Sequence, residues 1–165
     1  MTSRGPQEPK PYAFVPLPDR VERGKPAGHD SLHRGLLSGT IAGELVALTP
    51  VHVASGGIEL TGSNRIPLVK AHFRTDGRAA IPGSSLKGAV RSIVEAITRS
   101  CVRVRSRTVR DRLPPGFEPC EARDRNSALC PACRLFGAPG YQGQVRFADA
   151  PLIQGELTTI LAPTL

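Results

Sequence analysis

The stretch IPGSSLKGAVRSIVEAI, residues 81–97, decides the fold because it contains the clearest helix signal in the chain. Pro82-Gly83 interrupts the preceding chain, and Ser84 or Ser85 can cap the first turn of a helix that we expect over residues 84–100. The apolar residues of this segment recur at helical spacing and form one stripe. The members of the stripe are Leu86, Val90, Ile93, Val94 and Ile97. Arg91, Glu95 and Arg99 follow one another at steps of four residues on the other face.

Extended, β-prone segments lie on both sides of this helix. Residues 39–53 predict the first core strand, residues 144–150 (QVRFADA) a second and residues 157–161 a third. A strand–helix–strand order predicts an α+β or α/β domain in which the helix packs on a sheet. Residues 55–78 are interrupted by glycines and a proline, which predicts a long irregular loop. Residues 1–28 contain six prolines and predict an extended N-terminal arm, although a disordered tail fits them equally.

The chain is strongly basic, with a formal net charge of +8. This charge favours a polyanionic partner, since each neutralised phosphate releases counterions. A basic surface without a partner is the alternative. No apolar run approaches the ~20 residues that cross a membrane, and residues 1–10 lack the apolar core of a signal peptide. We therefore expect a cytoplasmic protein with no membrane partner.

Four cysteines lie in a loop-rich segment over residues 101–136: Cys101, Cys120, Cys130 and Cys133. In a reducing compartment such cysteines are more often metal ligands than disulfides, and their spacing suits tetrahedral zinc. Four thiolates leave no open coordination position, so the predicted role of zinc is structural, holding an insertion too polar to fold alone. A redox C-x-x-C motif is the rival, but it does not need Cys101 and Cys120.

Two features predict contacts with phosphate. The loop before the helix offers hydroxyl and amide groups at a helix N-terminus, with Lys87 one turn further on. A plain serine-capped helix is the alternative, and the P-loop spacing is absent. Arginines crowd around the cysteines, and guanidinium groups suit RNA because they clasp phosphates and stack on bases. A solvated basic face would have the same composition.

Signals for catalysis are weak. We find no pair of carboxylates and no Cys/His pair at a spacing that indicates acid–base chemistry. His29 and His33 could flank a scissile phosphate or a metal, but a plain polar turn fits them better. The residues by themselves therefore indicate a binding protein rather than an enzyme.

Two motifs, residues 81–97 and CPACRLFGAPGYQGQVRFADA at residues 130–150, resemble the RAMP superfamily of CRISPR-associated proteins. The first resembles that family's first helix with its preceding loop. The second resembles its glycine-rich segment leading into the next core strand. Residues 11–21 and 29–39 are similar to a zinc-containing branch near type III-D systems.

The resemblance implies an α+β fold with a ferredoxin-like (RRM-like) RAMP palm. An RNA-binding domain over residues 29–165 would carry a thumb-like loop at residues 55–78 and the zinc-binding insertion at residues 101–136. Family members continue past the position of Leu165. The chain is therefore expected to be a half-domain completed by another polypeptide, a minimal version, or a shortened form of a longer protein.

The implied function is that of a guide-RNA-binding backbone subunit of the Cas-seven group, within a class 1 CRISPR effector complex in antiviral defence. The implied partners are guide RNA, target RNA and other effector subunits, including further copies of backbone subunits and a separate nuclease. The predicted RNA-binding residues are Ser84, Ser85, Lys87, Arg91, Arg103, Arg105, Arg107 and Gly137.

No catalytic residue is predicted. Target-cleaving members of the family carry an aspartate in the thumb loop, where this chain has Gly62-Ser63-Asn64-Arg65. Enzymatic activity is therefore left open, with the balance against it. The alternatives are a RAMP ribonuclease that cleaves target or precursor guide RNA, and a zinc-stabilised adaptor that binds mainly protein.

Overall fold

The computed structural model describes residues 13–31, 33–103, 106, 108 and 111–160. Its elements in chain order are β1 (Ala54–Leu60), β2 (Leu68–His72), β3 (Arg74–Thr75), β4 (Arg78–Ile81), α1 (Gly83–Ile97), α2 (Pro131–Phe136), β5 (Gly137–Ala138), β6 (Tyr141–Gln142) and β7 (Ala150–Pro151). The strands form three small antiparallel sheets, β1–β2, β3–β4–β7 and β5–β6. This mixture of helix and antiparallel sheet agrees with an α+β fold. The ferredoxin-like palm stays a prediction. None of the described helices is long and apolar enough to span a bilayer.

The predicted helix is confirmed as α1. The carbonyl oxygen of its N-cap, Pro82, accepts hydrogen bonds from the amides of Ser85 and Leu86. The prediction of a serine cap is wrong, because the N-cap residue is Pro82 and no side-chain hydrogen bond from that residue caps the helix. Instead the carboxylate of Asp149 accepts a hydrogen bond from the amide of Gly83 at 2.8 Å. The cap thus comes from a residue 66 positions away, which local sequence could not show.

The orientation of α1 differs from what an amphipathic helix normally adopts, with its apolar stripe inside. The side chains of Arg91 and Glu95 are only 12% and 20% exposed. Ile93 and Ile97 are 60% and 74% exposed. Of the stripe, Val94 packs against the buried core cluster. Arg91 and Glu95 turn inward because they find hydrogen-bonding partners there, whereas Arg99 stays about half exposed and pairs with Glu22.

The predicted strand over residues 39–53 is wrong. These residues belong to no strand, and Ile41 and Leu48 are 100% and 92% exposed. The first strand, β1, begins only at Ala54. A branched apolar sequence favours extended backbone, but its β preference depends on a partner strand and a surface to cover. Among the described residues this segment has neither.

The two later predicted strands are also wrong among the described residues. Residues 144–149 form no strand, and only Ala150 of that segment enters one, β7. Residues 157–160 form no strand either, and residue 161 lies outside the described part of the chain. The backbone before β7 instead passes close to the start of α1, where it supplies the Asp149 cap.

The segment at residues 55–78 is more regular than predicted, since it contains strands β1 to β3 and the start of β4. β1 pairs with β2, with Leu60 opposite Leu68, and a bulge interrupts the register between Ala54 and Ile58. All seven residues of β1 are exposed, whereas β2 contains the buried Ala71. β3 pairs with β4 around Asp76-Gly77, both with positive φ. Asp-Gly is a strong hairpin signal of that kind and could have been recognised in the sequence.

The core lies around the cysteines and not beneath a sheet. Its buried members are Cys101, Cys120, Leu129, Cys130, Ala132, Cys133 and Phe136. The N-terminal segment reaches this core, because Gly24 and Leu129 exchange backbone hydrogen bonds of 3.0 and 2.9 Å. The predicted arm, residues 1–28, is described only from residue 13 onward.

Gly83 permits the close approach between α1 and the chain before β7. A Cβ atom there would collide with the carbonyl oxygen of Phe147 and lie 2.8 Å from that of Ala148. We expect Gly83→Ala to lower the free energy of unfolding by about 1–3 kcal/mol, since the clash is with backbone. Urea denaturation of the purified variant would measure this loss.

Gly88→Ala is the matched control. Gly88 lies in the same helix with nothing within 4 Å of its added Cβ. Alanine is the better helix former by about 1 kcal/mol, so the control variant should be as stable as the parent or more so. Equal stability of the two variants would contradict close packing at Gly83.

Candidate metal centre and adjoining groove

The four predicted cysteine ligands converge on one point. Their Sγ atoms all lie within 4.8 Å of one another. The Sγ of Cys101 lies 3.6 Å from that of Cys133 and 3.5 Å from that of Cys130. All four residues are buried, and none forms a disulfide. Tetrahedral zinc with zinc–sulfur bonds of about 2.3 Å separates its sulfurs by about 3.8 Å, so the cluster could hold such an ion.

Local structure aims the sulfurs at this point. Cys130 is the N-cap of α2, and its Sγ accepts a hydrogen bond from the amide of Cys133 at 3.5 Å. Pro131 stands at the first position of that helix, where its missing N–H costs nothing. The Sγ of Cys120 accepts from the amide of Cys130 at 3.4 Å. The Cys-Pro-Ala-Cys sequence therefore forms a knuckle with N–H groups directed at sulfur.

Hydrogen bonds between the four sulfurs move their pKa values in opposite directions. A hydrogen bond with Cys101 lowers the pKa of Cys120 to about 6 and is also the main cause of the lowered pKa of Cys130. The pKa of Cys101 is raised, chiefly by its hydrogen bond with Cys120. The pKa of Cys133 is also raised, chiefly by its hydrogen bond with Cys101. Four adjacent thiolates repel one another, so some sulfurs keep protons. A divalent cation removes this obstacle by displacing those protons.

Two arginines approach the cluster. Arg91 donates from Nη2 to the Sγ of Cys133 at 3.3 Å, from Nη1 to the carbonyl oxygen of Gly137 at 2.8 Å and from Nε to Glu95 at 2.7 Å. Arg23 donates to the carbonyl oxygens of Gly116 and Glu118, both at 3.0 Å. Burial works against the charge of Arg23, but its pKa is raised by a hydrogen bond to Cys120 and the nearby cysteine charges. Sequence reasoning missed Arg23, since nothing local marks it.

An open groove adjoins the cysteine cluster. It brings together three of the predicted RNA-binding residues, Lys87, Arg103 and Gly137, with the aromatic residues Phe136 and Tyr141. Arg103 also lines a smaller cavity bordered by Cys101, Cys120 and Cys133. The groove and this cavity therefore share one wall, formed by Arg103, Ala138 and Pro139.

The far side of the groove is the β5–β6 hairpin. Its turn, Pro139-Gly140, follows the proline-then-glycine pattern of a tight turn, with Gly140 at φ 77°. The hydroxyl of Tyr141 donates to the carbonyl oxygen of Ala27 at 2.9 Å. The Nε2 of His29 lies 2.7 Å from the carbonyl oxygen of Gln142. The N-terminal segment thereby fixes this hairpin, and the turn signal in the sequence could have located it.

The remaining predicted site residues lie elsewhere. Ser84 and Ser85 are exposed in the first turn of α1 and do not line the groove. The Asp149 carboxylate at this helix end would repel a phosphate. Arg105 and Arg107 lie outside the described residues. Their predicted contacts with RNA stay predictions.

The histidines do not form the pair that the sequence suggested. His29 contacts Gln142, whereas the Nε2 of His33 lies 3.3 Å from the carbonyl oxygen of Gly28. The structure brings together His52 and His72 instead, with ring centroids 5.6 Å apart. The Nδ1 of His72 accepts a hydrogen bond from the amide of Val53, which accounts for its place at the base of the β1–β2 hairpin.

Comparison with known proteins gives one match. The family model of the RAMP superfamily matches residues 44–162, which include α1, the four cysteines and the groove. No curated protein and no solved structure shows a significant match.

Proposed function

The chain belongs to the RAMP superfamily, which is associated with RNA binding and CRISPR effector complexes, and we propose that it is a guide-RNA-binding backbone subunit of such a complex. The observation that carries this proposal is the groove in which Lys87 and Arg103 face the glycine-rich β5–β6 hairpin. Among the described residues neither cation forms an ion pair. Both are therefore available to phosphates.

The groove suits the RNA backbone better than a particular base sequence. Lys87 and Arg103 supply the positive charge that contacts phosphate. Phosphate contacts set register and affinity, whereas sequence would be read by pairing between guide and target. The net charge of +8 supports a long-range attraction to RNA in addition.

The β1–β2 hairpin supports the thumb role proposed for residues 55–78. Every residue of β1 is exposed, and the connecting loop carries Gly62-Ser63-Asn64-Arg65 at its tip. An amide and a hydroxyl there are not bases near neutral pH. We therefore propose that this hairpin separates guide from target and that a different subunit cleaves the target.

Zinc is the proposed metal, in a structural role. The donor set is four sulfurs, which suits zinc with a closed coordination sphere. When bound, the ion supplies no reaction step but ties Cys101 and Cys120 to α2. The proposed role of residues 101–136 is thus to build part of the wall that the groove shares with the cavity beside the cysteines.

The proposal predicts salt-dependent binding to RNA of unrelated sequence. The purified protein should retain RNA after lysis in low salt, and its affinity for single-stranded RNA should fall linearly on a plot of log K against log salt. The expected slope is about −0.7 for each phosphate contacted. Filter binding with several unrelated RNAs measures it.

The same assay separates the alternatives. An adaptor that binds mainly protein would show no retained RNA and no salt-dependent affinity. A ribonuclease would give products from end-labelled target or precursor guide RNA, whereas our proposal expects intact RNA. Strong preference for one sequence would contradict a groove that reads phosphates.

A further inference from the structure

We propose that Arg91 is a positioning residue that joins the metal centre to the wall of the groove, and that it is not a contact for RNA phosphate. This inference rests on the metal centre and the groove function proposed above. It changes the role that the sequence assigned to Arg91, which lies on the same helix as Lys87 but one turn further along.

The geometry of Arg91 supports this role. Its guanidinium is held by three acceptors on three elements: Glu95 on α1, the Sγ of Cys133 on α2 and the carbonyl oxygen of Gly137 on β5. The side chain is only 12% exposed. A phosphate that bound here would have to displace Glu95, whose carboxylate already faces the guanidinium. Lys87 and Arg103 have no such competitor among the described residues.

The charges support the same role. A divalent cation held by four thiolates has a net charge of −2, and a buried anion of this kind requires nearby positive groups. The guanidinium of Arg91 supplies such a positive group, because its Nη2 lies 3.3 Å from the Sγ of Cys133. Residues that form hydrogen bonds with metal ligands orient those ligands, and their removal typically lowers metal affinity about 10- to 100-fold.

The Gly137 contact carries the effect of the metal to the groove. Gly137 caps the C-terminus of α2 with φ 99° and begins the β5–β6 hairpin. Its own amide donates to the carbonyl oxygen of Cys133. The Arg91 guanidinium therefore closes a second connection between the Cys133 ligand and the hairpin. A bound metal would fix the position of Cys133, whose Sγ accepts a hydrogen bond from Arg91. Arg91 in turn donates to the carbonyl oxygen of Gly137 and so fixes the hairpin that lines the groove with Lys87.

The test compares Arg91→Met and Arg91→Lys with the control Arg123→Met. Arg123 lies in the same segment as Cys133, residues 101–136, but its side chain is 82% exposed and pairs with Glu121. Three quantities are measured in the full chain: the rate of zinc release to a chromogenic chelator, the absorption spectrum of the cobalt(II)-substituted protein, and the salt dependence of RNA binding.

We expect Arg91→Met to release zinc at least 10-fold faster than the parent. Loss of the hydrogen bond raises the energy of the sulfur lone pairs, so the sulfur-to-cobalt charge-transfer band should shift to longer wavelength. Affinity for RNA should fall with the salt slope unchanged, since no phosphate contact is lost. Arg91→Lys keeps the charge but cannot bridge three acceptors, so it should also release zinc faster. Arg123→Met should match the parent in zinc release and in the cobalt spectrum.

Several results would overturn the inference. One is that Arg91→Met leaves the rate of zinc release and the cobalt spectrum unchanged but lowers the salt slope of RNA binding by the amount expected for about one lost phosphate contact. Another is parent protein that binds neither zinc nor cobalt. If the parent binds metal but no RNA, the proposed function fails, and so does the proposed effect of Arg91 on RNA binding. The zinc release rates and cobalt spectra still decide whether Arg91 positions the metal centre.

Discussion

Removal of the metal is expected to unfold the region around residues 101–136 and to lower the stability of the whole chain. Four of the seven buried residues of the core cluster are the cysteines themselves. Without the ion, the remaining apolar members are Leu129, Ala132 and Phe136, which are too few to form a core. Metal binding at such sites contributes on the order of 10 kcal/mol, as much as the total stability of an ordinary domain.

The measurement combines metal analysis with thermal denaturation. Protein purified without chelator should contain about one zinc ion per chain. Chelation, or Cys130→Ser together with Cys133→Ser, should abolish the cooperative transition and make this region sensitive to protease. Restoring zinc to the chelated parent should recover the transition, whereas the double variant should not respond.

Two results would contradict a structural metal centre. One is metal-free parent protein with an unchanged melting temperature and protease pattern. The other is a reversible Cys130–Cys133 disulfide, found by mass spectrometry in protein that never contained metal, which would favour the redox alternative.

Reversal of charge in the groove is expected to cause the largest loss of RNA affinity. Lys87→Glu with Arg103→Glu replaces two phosphate contacts by two repulsive charges beside the β5–β6 hairpin. Each lost contact alone lowers the salt slope by about 0.7 for single-stranded RNA. We expect the double variant to bind at least about 100-fold more weakly at low salt, because repulsion adds to the lost attraction.

Arg123→Glu with Arg125→Glu is the matched control, with the same change in net charge. Both residues are exposed in the insertion and do not line the groove. The control should lose only the long-range attraction and stay well above the groove variant in affinity. Equal losses in the two double variants would show that RNA binding follows net charge alone, and the groove would lose its assigned role.

Some features of the candidate site were predictable because they are local. The spacing of Cys130 and Cys133 is that of a metal-binding knuckle, and two further cysteines in the same segment indicated a four-sulfur site. The structure confirms that the four sulfurs meet. Helix α1 was predictable for the same reason, since periodicity and the Pro-Gly break lie within one stretch of sequence.

Other features were out of reach of the sequence because they depend on distant partners. The Asp149 cap of α1 and the hydrogen bonds of Arg23 to residues 116 and 118 join segments far apart in the chain. The predicted strand over residues 39–53 failed because β preference requires a neighbouring strand, which local composition cannot reveal.

By itself, then, the sequence determined the amphipathic helix α1, four cysteines gathered in one segment and a basic character that favours a polyanionic partner. Only the tertiary structure decided which face of that helix turns inward. The pattern places the apolar stripe inside, yet Arg91 and Glu95 are only 12% and 20% exposed and so less exposed than Ile93 and Ile97. A charged side chain is buried where its hydrogen bonds are satisfied, and the acceptors for Arg91 come from Cys133 and Gly137, more than 40 residues further along the chain.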